Sequence, residues 1–273
     1  MMKKYVDLHI HTQASDGTWT PEKAIEHIKT ANISTFAITD HDSIDNVAEA
    51  QIIAENNGLT CVSGVEISTS FQNMEYHILT YDFNLNNPIL VARVNKNHKQ
   101  RLDYHNTVIE TVKKDYPQLS LEEFEQYSYD LTRGGWPSLN FLLDKKVVNN
   151  MQSFFQLMIN YKLQLVFDSP EQVIEDIRQA GAVAILAHPP AYVKQDFMPL
   201  EQLREWVSFG IQGFECYSPY YINPIDSGYY VDFCKANSLY ISGGSDCHGD
   251  LLLNRKLRNP SILLDQLELP FLR

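Results

Sequence analysis

Cysteine is sparse in this chain of 273 residues, and the four present, Cys61, Cys216, Cys234 and Cys247, form no CxxC pair and no spacing typical of a disulfide-stapled secreted domain. A thiolate metal knuckle and an extracellular scaffold are thereby set aside, and the cysteines read as reduced thiols of a cytoplasmic protein. Long apolar runs are missing too. No window approaches the roughly 20 residues of a membrane span, and Lys3 and Lys4 are followed by none of the apolar stretch of a signal peptide. Basic residues are outnumbered, 22 Lys and Arg against 34 Asp and Glu, for a formal net charge of -12. That balance excludes the basic stripe by which a dedicated binder of long nucleic acid neutralises phosphates. Internal repeats and low-complexity linkers are absent as well.

What remains is an ordinary globular composition, 44% hydrophobic and 21% charged, in a chain long enough for one large α/β domain or a domain with an insertion. The organising stretch is Asp7-Leu8-His9-Ile10-His11-Thr12, followed by Ser15-Asp16-Gly17. Side chains alternate faces along a strand, so His9 and His11 share one face and Leu8 and Ile10 the other. Two imidazoles aimed together make poor core but form half of a metal site.

Downstream, apolar strands mostly alternate with helices, and each strand has a candidate ligand in it or just beyond its C-terminal end. Thr20-Pro21-Glu22 starts a helix with Ala24, Ile25 and Ile28 on one face. Ser34-Thr35-Phe36-Ala37-Ile38 runs into Thr39-Asp40-His41-Asp42, where either aspartate suits a metal-site role or a cap for the helix over 44–56. A third strand over 60–65 ends in Glu66-Ile67-Ser68, and a fourth, Tyr76-His77-Ile78-Leu79-Thr80-Tyr81, pairs closely with it. The alternation then stops from 83 to 167, where helical patterns through 114 and over 121–127, 138–148 and 151–161 predict a helical insertion, as a lid over a barrel mouth or as a packing extension. It resumes at Ser169-Pro170-Glu171 with another cap-plus-proline helix start. A fully apolar strand delivers Ala187-His188-Pro189, a strand over 211–217 carries Glu215, and Leu239-Tyr240-Ile241-Ser242 leads into Gly244-Ser245-Asp246-Cys247-His248. The expected domains are therefore a barrel formed by 1–82 and 168–273 and an insertion of 83–167.

Of the nine histidines, His9, His11, His41, His77, His188 and His248 sit in or after apolar strands, whereas His27, His98 and His105 fall in polar helical stretches and read as surface residues. Asp16, Glu66 and Asp246 occupy equivalent strand-end places. Six imidazoles and three carboxylates suit divalent ions such as Zn, Mn or Fe better than a thiolate site would. Cys247, between two of these residues, should point away and pack; Glu215 reads as a supporting or solvated carboxylate.

The ordered series HxH, Asp, Asp-His, Glu, His, His-Pro, Asp-x-His resembles the PHP (polymerase and histidinol phosphatase) family of metal-dependent phosphoesterases, and it spans residues 7 to 248. The resemblance implies a distorted (β/α)7 barrel with three divalent ions at the strand ends. It places His9, His11, Glu66 and Asp246 on the first ion, Asp16, His41 and His248 on the second, and Glu66, His77 and His188 on the third, with Glu66 bridging. Asp16, His248 and Glu66 become the expected catalytic residues. The ions would draw a phosphate to an acidic protein and lower the pKa of a bridging water toward about 7 for in-line attack on phosphorus.

Within the family, the chain resembles the subgroup acting on nucleoside 3',5'-bisphosphates and short oligoribonucleotides, in which aspartate is the usual residue at the place of Asp16. It departs where that subgroup carries Arg-Pro-His and this chain has Trp136-Pro137-Ser138. Arg133, Lys145, Lys146, Arg255 and Lys256 are candidate replacements for the arginine, and Trp136 is a candidate to stack on a base. The expected substrate contacts are Arg133, Trp136 and Arg255. The expected partner is a small phosphorylated molecule, most readily a nucleotide, with neither long nucleic acid nor membrane. Histidinol phosphate hydrolysis and a non-catalytic metal-binding regulatory role are the alternatives.

Overall fold

The computed structural model describes residues 4–194, 196–221 and 226–272; residues 1–3 and 273, at the outer ends of the expected barrel segments, lie outside these. It is a mixed α/β fold. The opening strand β1 (Tyr5–Ile10) is followed by α1 (Pro21–Thr30), β2 (Ile33–Ile38), α2 (Val47–Asn56), β3 (Thr60–Val62), β4 (Gly64–Phe71) and β5 (Met74–Tyr81). Four helices come next: α3 (Pro88–Val112), α4 (Leu121–Glu125), α5 (Pro137–Asp144) and α6 (Met151–Asn160). The chain ends with α7 (Pro170–Gln179), β6 (Val183–Leu186), α8 (Leu200–Ser208), β7 (Gly213–Tyr217), α9 (Ser227–Ala236), β8 (Tyr240–Gly243) and β9 (Ile262–Leu263). Among the described residues, no helix is long and apolar enough to cross a membrane.

The helix starts follow local chemistry. Thr20 accepts a hydrogen bond from the Lys23 backbone N–H ahead of Pro21, and Asn87 accepts from Ile89 and Leu90 ahead of Pro88. Ser169 makes no such side-chain bond, so Pro170 alone marks the start of α7. On α7, Val173, Ile174 and Ile177 are fully buried. Each such side chain contributes about 1.5–3 kcal/mol by leaving water.

The strands form two sheets, ordered β3-β2-β1-β9 and β4-β5-β6-β7-β8. Pairing is parallel for β1–β2, β2–β3, β6–β7 and β7–β8, and antiparallel for β4–β5, β5–β6 and β1–β9. Two isolated parallel bridges tie the sheets at their edges, His41 to Glu66 and Ile10 to Cys247. Residues of the metal series thus lie at the seams.

The strand expected over 60–68 is in fact two. Ser63 Oγ donates to the Phe83 carbonyl and accepts the Phe83 N–H, both at 2.9 Å, turning the chain out of one sheet and into the other. Gly64 permits the turn: a Cβ there would lie 2.7 Å from the Ile38 carbonyl oxygen.

The main apolar core lies around the second sheet and α7, α8 and α9, and includes Trp206, Phe214 and Tyr230. A separate core of Val108, Ile109, Phe124, Phe141, Leu142 and Phe154 unites α3 to α6. Helix α3 joins the two through a polar stripe, Arg93, Asn97, Arg101 and His105, all buried. The four-residue spacing puts them on one helix face.

Candidate metal centre

The nine residues of the series arrive from six strands or the loops that follow them. His9 is on β1, with His11 and Asp16 just beyond it; His41 follows β2; Glu66 is on β4 and His77 on β5, offset by two residues in the pairing of those strands; His188 follows β6; Asp246 and His248 follow β8. His188 (φ 29°) and Asp246 (φ 49°) hold left-handed backbone, which costs about 1–3 kcal/mol each for such residues. That strain is offset by the contacts the side chains gain.

His9 Nε2 is 3.1 Å from His11 Nε2, 3.2 Å from Glu66 Oε2 and 3.3 Å from Asp246 Oδ1. His11 Nε2 is 3.3 Å from Glu66 Oε2 and 3.1 Å from Asp246 Oδ1. These five separations, 3.1–3.3 Å, are those of donor atoms that each lie about 2 Å from a shared ion, the length of a zinc–imidazole or zinc–carboxylate bond. Asp16, His248, His11 and His41 form a second group able to hold an ion, and His41, Glu66 and His77 a third. In the second, His248 Nε2 is 3.4 Å from Asp16 Oδ1. In the third, His77 Nδ1 lies 3.2 Å from Glu66 Oε1; His188 is outside that group, although its Nε2 lies 3.0 Å from the same oxygen. The groups overlap more than the resemblance implies, because His11 reaches toward two of them and His41 toward two.

Glu66 is the shared element, buried completely and within reach of His9, His11, His41, His77 and His188. Glu66 Oε2, His41 Nδ1 and His77 Nδ1 are buried without a hydrogen-bond partner in the protein. Orphaned donor atoms of this kind are costly unless something else meets them. A divalent cation fits them.

The electrostatics agree. Burial pushes the Glu66 carboxyl up, but the imidazoles of His9, His41 and His77 outweigh it and hold Glu66 well below the usual carboxylate range. For Asp246 burial is likewise outweighed, by His9, His248 and Arg255. Burial favours neutral imidazole at His11, yet bonds to Asp246 and Glu66 raise it to about 9, and Glu66 and Glu75 raise His77 to about 10. At His41 burial prevails, and its imidazole falls well below the ordinary value. The carboxylates thus call for positive charge, the charge that divalent ions carry.

Of the two roles read for Glu215 from sequence, the supporting one holds and the solvated one does not. Fully buried, its Oε1 lies 2.9 Å from His9 Nδ1 and its Oε2 accepts the His188 N–H at 2.7 Å. One carboxylate therefore fixes two imidazole-bearing residues, the arrangement that orients metal-binding histidines. Nor do Asp40 and Asp42 cap α2, whose start at Asn46 has no side-chain cap. Asp40 accepts from Thr12 and Ser15 and shapes the loop carrying Asp16. Asp42 accepts from Ser68, Asn97 and Arg101.

A cavity of about 290 Å³ opens onto Asp16, His41, His77, His188, Asp246 and His248. Trp136 and Arg255 line it. Arg255 Nη1 donates to Asp246 Oδ2 at 2.7 Å, and its guanidinium lies 4.6 Å from the centre of the Tyr220 ring. Arg133 does not line this cavity; it is bonded to Asp144 on α5. Arg101, which the sequence reading passed over, does line it, 4.6 Å over Trp136. His105 is another correction, buried with Nδ1 2.9 Å from Ser138 Oγ. His27 stacks on Trp19 at 4.2 Å, while His98 is exposed.

The PHP domain model matches residues 7–179. The Escherichia coli protein named 5'-3' exoribonuclease Rnm is 30% identical over 194 residues, covering 68% of this chain and 66% of that protein, just under two thirds of its length. A Chromobacterium violaceum protein named 3',5'-nucleoside bisphosphate phosphatase is 24% identical over 262 residues, covering 89% of this chain and 87% of that one. Among solved structures, a Bifidobacterium adolescentis protein assigned as a metal-dependent phosphoesterase superposes with a TM-score of 0.77 at 23% identity, over 93% of this chain and 90% of its own. At that identity the likeness carries the fold alone.

Proposed function

The chain belongs to the PHP domain family, and from that premise we propose that it is a metal-dependent phosphoesterase acting on nucleotides, a nucleoside 3',5'-bisphosphate or a short oligoribonucleotide. The observation that carries the reading is the convergence of six imidazoles and three carboxylates at one cavity, which Asp16, His41, His77, His188, Asp246 and His248 line, with orphaned donor atoms at Glu66, His41 and His77. His9, His11, Glu66 and Asp246 would hold one ion, Asp16, His41 and His248 a second, and Glu66, His77 and His188 a third, of Zn, Mn or Fe. Such ions, when bound, supply an activated water and positive charge for the phosphoryl oxygens.

The chain's own residues do the positioning. Glu215 and Glu75 hold the rings of His9 and His77. Arg255, at the rim beside Asp246, faces an incoming phosphate with a charge that Asp246 only partly neutralises. Helices α3 to α6 form the expected insertion and wall the cavity through Trp136, Met151 and Phe155. The two sheets, bridged at both seams, read as a distorted seven-stranded barrel of β1, β2 and β4 to β8. Four free cysteines fit a cytoplasmic enzyme. The acidic surface is compatible with an anionic substrate because attraction is local to the ions.

The test is phosphate release by metal-loaded protein from a panel containing nucleoside 3',5'-bisphosphate, short oligoribonucleotide and histidinol phosphate. Chelator-sensitive hydrolysis of the nucleotides is expected, with Asp16→Ala and His248→Ala each lowering kcat at least a hundredfold. Hydrolysis of histidinol phosphate alone, or none of any ester, would remove the reading.

A further inference from the structure

A second cavity, also about 290 Å³, lies beside the first, and Glu75, Arg101, Trp136 and Phe155 line both. The two therefore adjoin, one ending on the metal centre and the other running between α3 and α6. The walls of the second are largely aromatic and apolar, from Tyr104, Trp136, Phe154, Phe155 and Met158. Asn73, Glu75, Arg101, His105 and Gln164 are the polar groups that interrupt them. Binding pockets for small organic ligands have this makeup, an apolar lining of roughly 300 Å³ or more with a small number of placed polar groups.

One of those polar groups lacks a partner. His105 lines the cavity and is 5% exposed; its Nδ1 is held by Ser138 Oγ at 2.9 Å, and its buried Nε2 meets no hydrogen-bonding atom of the protein. An unmet buried nitrogen is destabilising unless a ligand answers it. Arg101 stands where the cavities meet. Its Nε and Nη2 are held by Asp42, Ser68 and Glu75, whereas its Nη1 makes no hydrogen bond among the described residues. At the rim, Phe155 is 51% exposed although α6 buries its neighbour Phe154. An exposed phenyl ring over an apolar hollow offers a stacking face.

From this juxtaposition we infer that the second cavity is the seat of the substrate's aromatic base, with Trp136 and Phe155 as stacking faces, His105 Nε2 bonded to the base edge, and Arg101 Nη1 turned to the sugar-phosphate at the junction. Aromatic walls grip any base through its π-face, so the site selects for the presence of a base rather than its identity. The inference deepens the proposed nucleotide reading and rests on it for the choice of a base as the ring bound. It also accounts for the Trp136-Pro137-Ser138 departure: Trp136 carries the guanidinium of Arg101 on its face, and Ser138 holds the imidazole of His105.

Equilibrium binding of adenosine 5'-monophosphate and ribose 5-phosphate to the metal-loaded full chain tests it, with phosphate release followed in parallel to show the bound ligand intact. The wild type should bind the nucleotide at least tenfold more tightly than the sugar phosphate. In Met158→Trp, which fills the cavity, and in Phe155→Ala, which removes the exposed stacking face without touching the buried core, that preference should fall to threefold or less. Metal content and unfolding temperature establish that each variant is folded. A wild-type preference below threefold, or full preference retained by either folded variant, overturns the inference. Binding preference intact with no hydrolysis of any phosphoester would instead remove the enzymatic reading and leave the base site standing.

Discussion

Glu75 on β5 and Arg101 on α3 are paired at 3.0 Å, and the same Glu75 oxygen lies 3.2 Å from His77 Nε2. Strand alternation puts Glu75 and His77 on one face. The pair thereby fastens helix α3 to the back of an imidazole whose other nitrogen faces Glu66. Burial would raise the Glu75 carboxyl, but Arg101 and His77 hold it well below its ordinary value. It stays an anion, able to accept the His77 N–H and fix the ring.

Glu75→Ala is therefore expected to weaken metal binding about 10–100-fold, the usual cost of losing the partner of a metal-binding histidine. Elemental analysis after dialysis against graded free metal measures it. Glu75→Gln, which keeps a carbonyl acceptor, should recover part of the loss. A purely structural role for Glu75 would show instead as a lowered unfolding temperature with metal affinity unchanged.

Removing the metal is expected to destabilise the fold as well as silence it. Three buried carboxylates, Asp16, Glu66 and Asp246, would then depend for charge on imidazolium and, at Asp246, on the guanidinium of Arg255. Ligand linkage gives about 4 kcal/mol of stability at a thousandfold excess of free ion over its Kd. Thermal unfolding with and without chelator, with restoration on adding back the ion, reads this directly. A midpoint insensitive to chelator would show that no ion is resident.

The order of the candidate ligands was legible because most sit within or just past an apolar run, a contrast of hydrophobic and polar that sequence displays openly. The polar stripe of α3 was not. Arg93, Asn97, Arg101 and His105 recur every fourth residue, but their helix is polar on its other faces too, so no contrast marks the buried one. Each finds a partner far along the chain: Asp176 for Arg93, Asp42 for Asn97, Glu75 for Arg101 and Ser138 for His105. Glu215 was legible only in part: strand position put it on the right side, while the partners that make it a supporting group, His9 and His188, come from other strands. The break at Ser63 involves one residue and two hydrogen bonds, too local for a periodicity to register. The two-sheet division followed from it.

His105 predicts a pH dependence of stability. Burial, reinforced by the charge of Arg101, holds its imidazole down at about 3, against an ordinary 6.5. Between those values the unfolded chain takes up a proton that the folded chain refuses. The stability contributed by neutral His105 is thus complete above pH 6.5 and is lost progressively as pH falls toward 3, at up to about 1.4 kcal/mol per pH unit. Urea unfolding of wild type and His105→Gln at pH 7 and pH 5 isolates the effect, because all other titrating groups are common to both. The wild type should lose about 2 kcal/mol more than the variant across that interval. Parallel losses would show that His105 is protonated in the fold.

Gly244 offers the sharpest test of how closely the site is packed. It follows β8 and lies against β1, where an added Cβ would come within 2.3 Å of His9 Cβ and 2.5 Å of the His9 backbone nitrogen. Neither atom is the end of a flexible side chain, so one strand must move. His9 is held on its far side by Glu215 at 2.9 Å and faces His11, Glu66 and Asp246 within 3.3 Å. Any displacement of β1 opens those distances. Gly244→Ala is expected to cost about 1–3 kcal/mol of stability through overpacking and, beyond that, to abolish occupancy of the ion held by His9 and His11 while sparing binding at Asp16 and His248. Metal stoichiometry by elemental analysis, read alongside the unfolding temperature, separates the two effects. A variant that retains its full complement of metal would mean that the seam between β1 and β8 yields without moving His9.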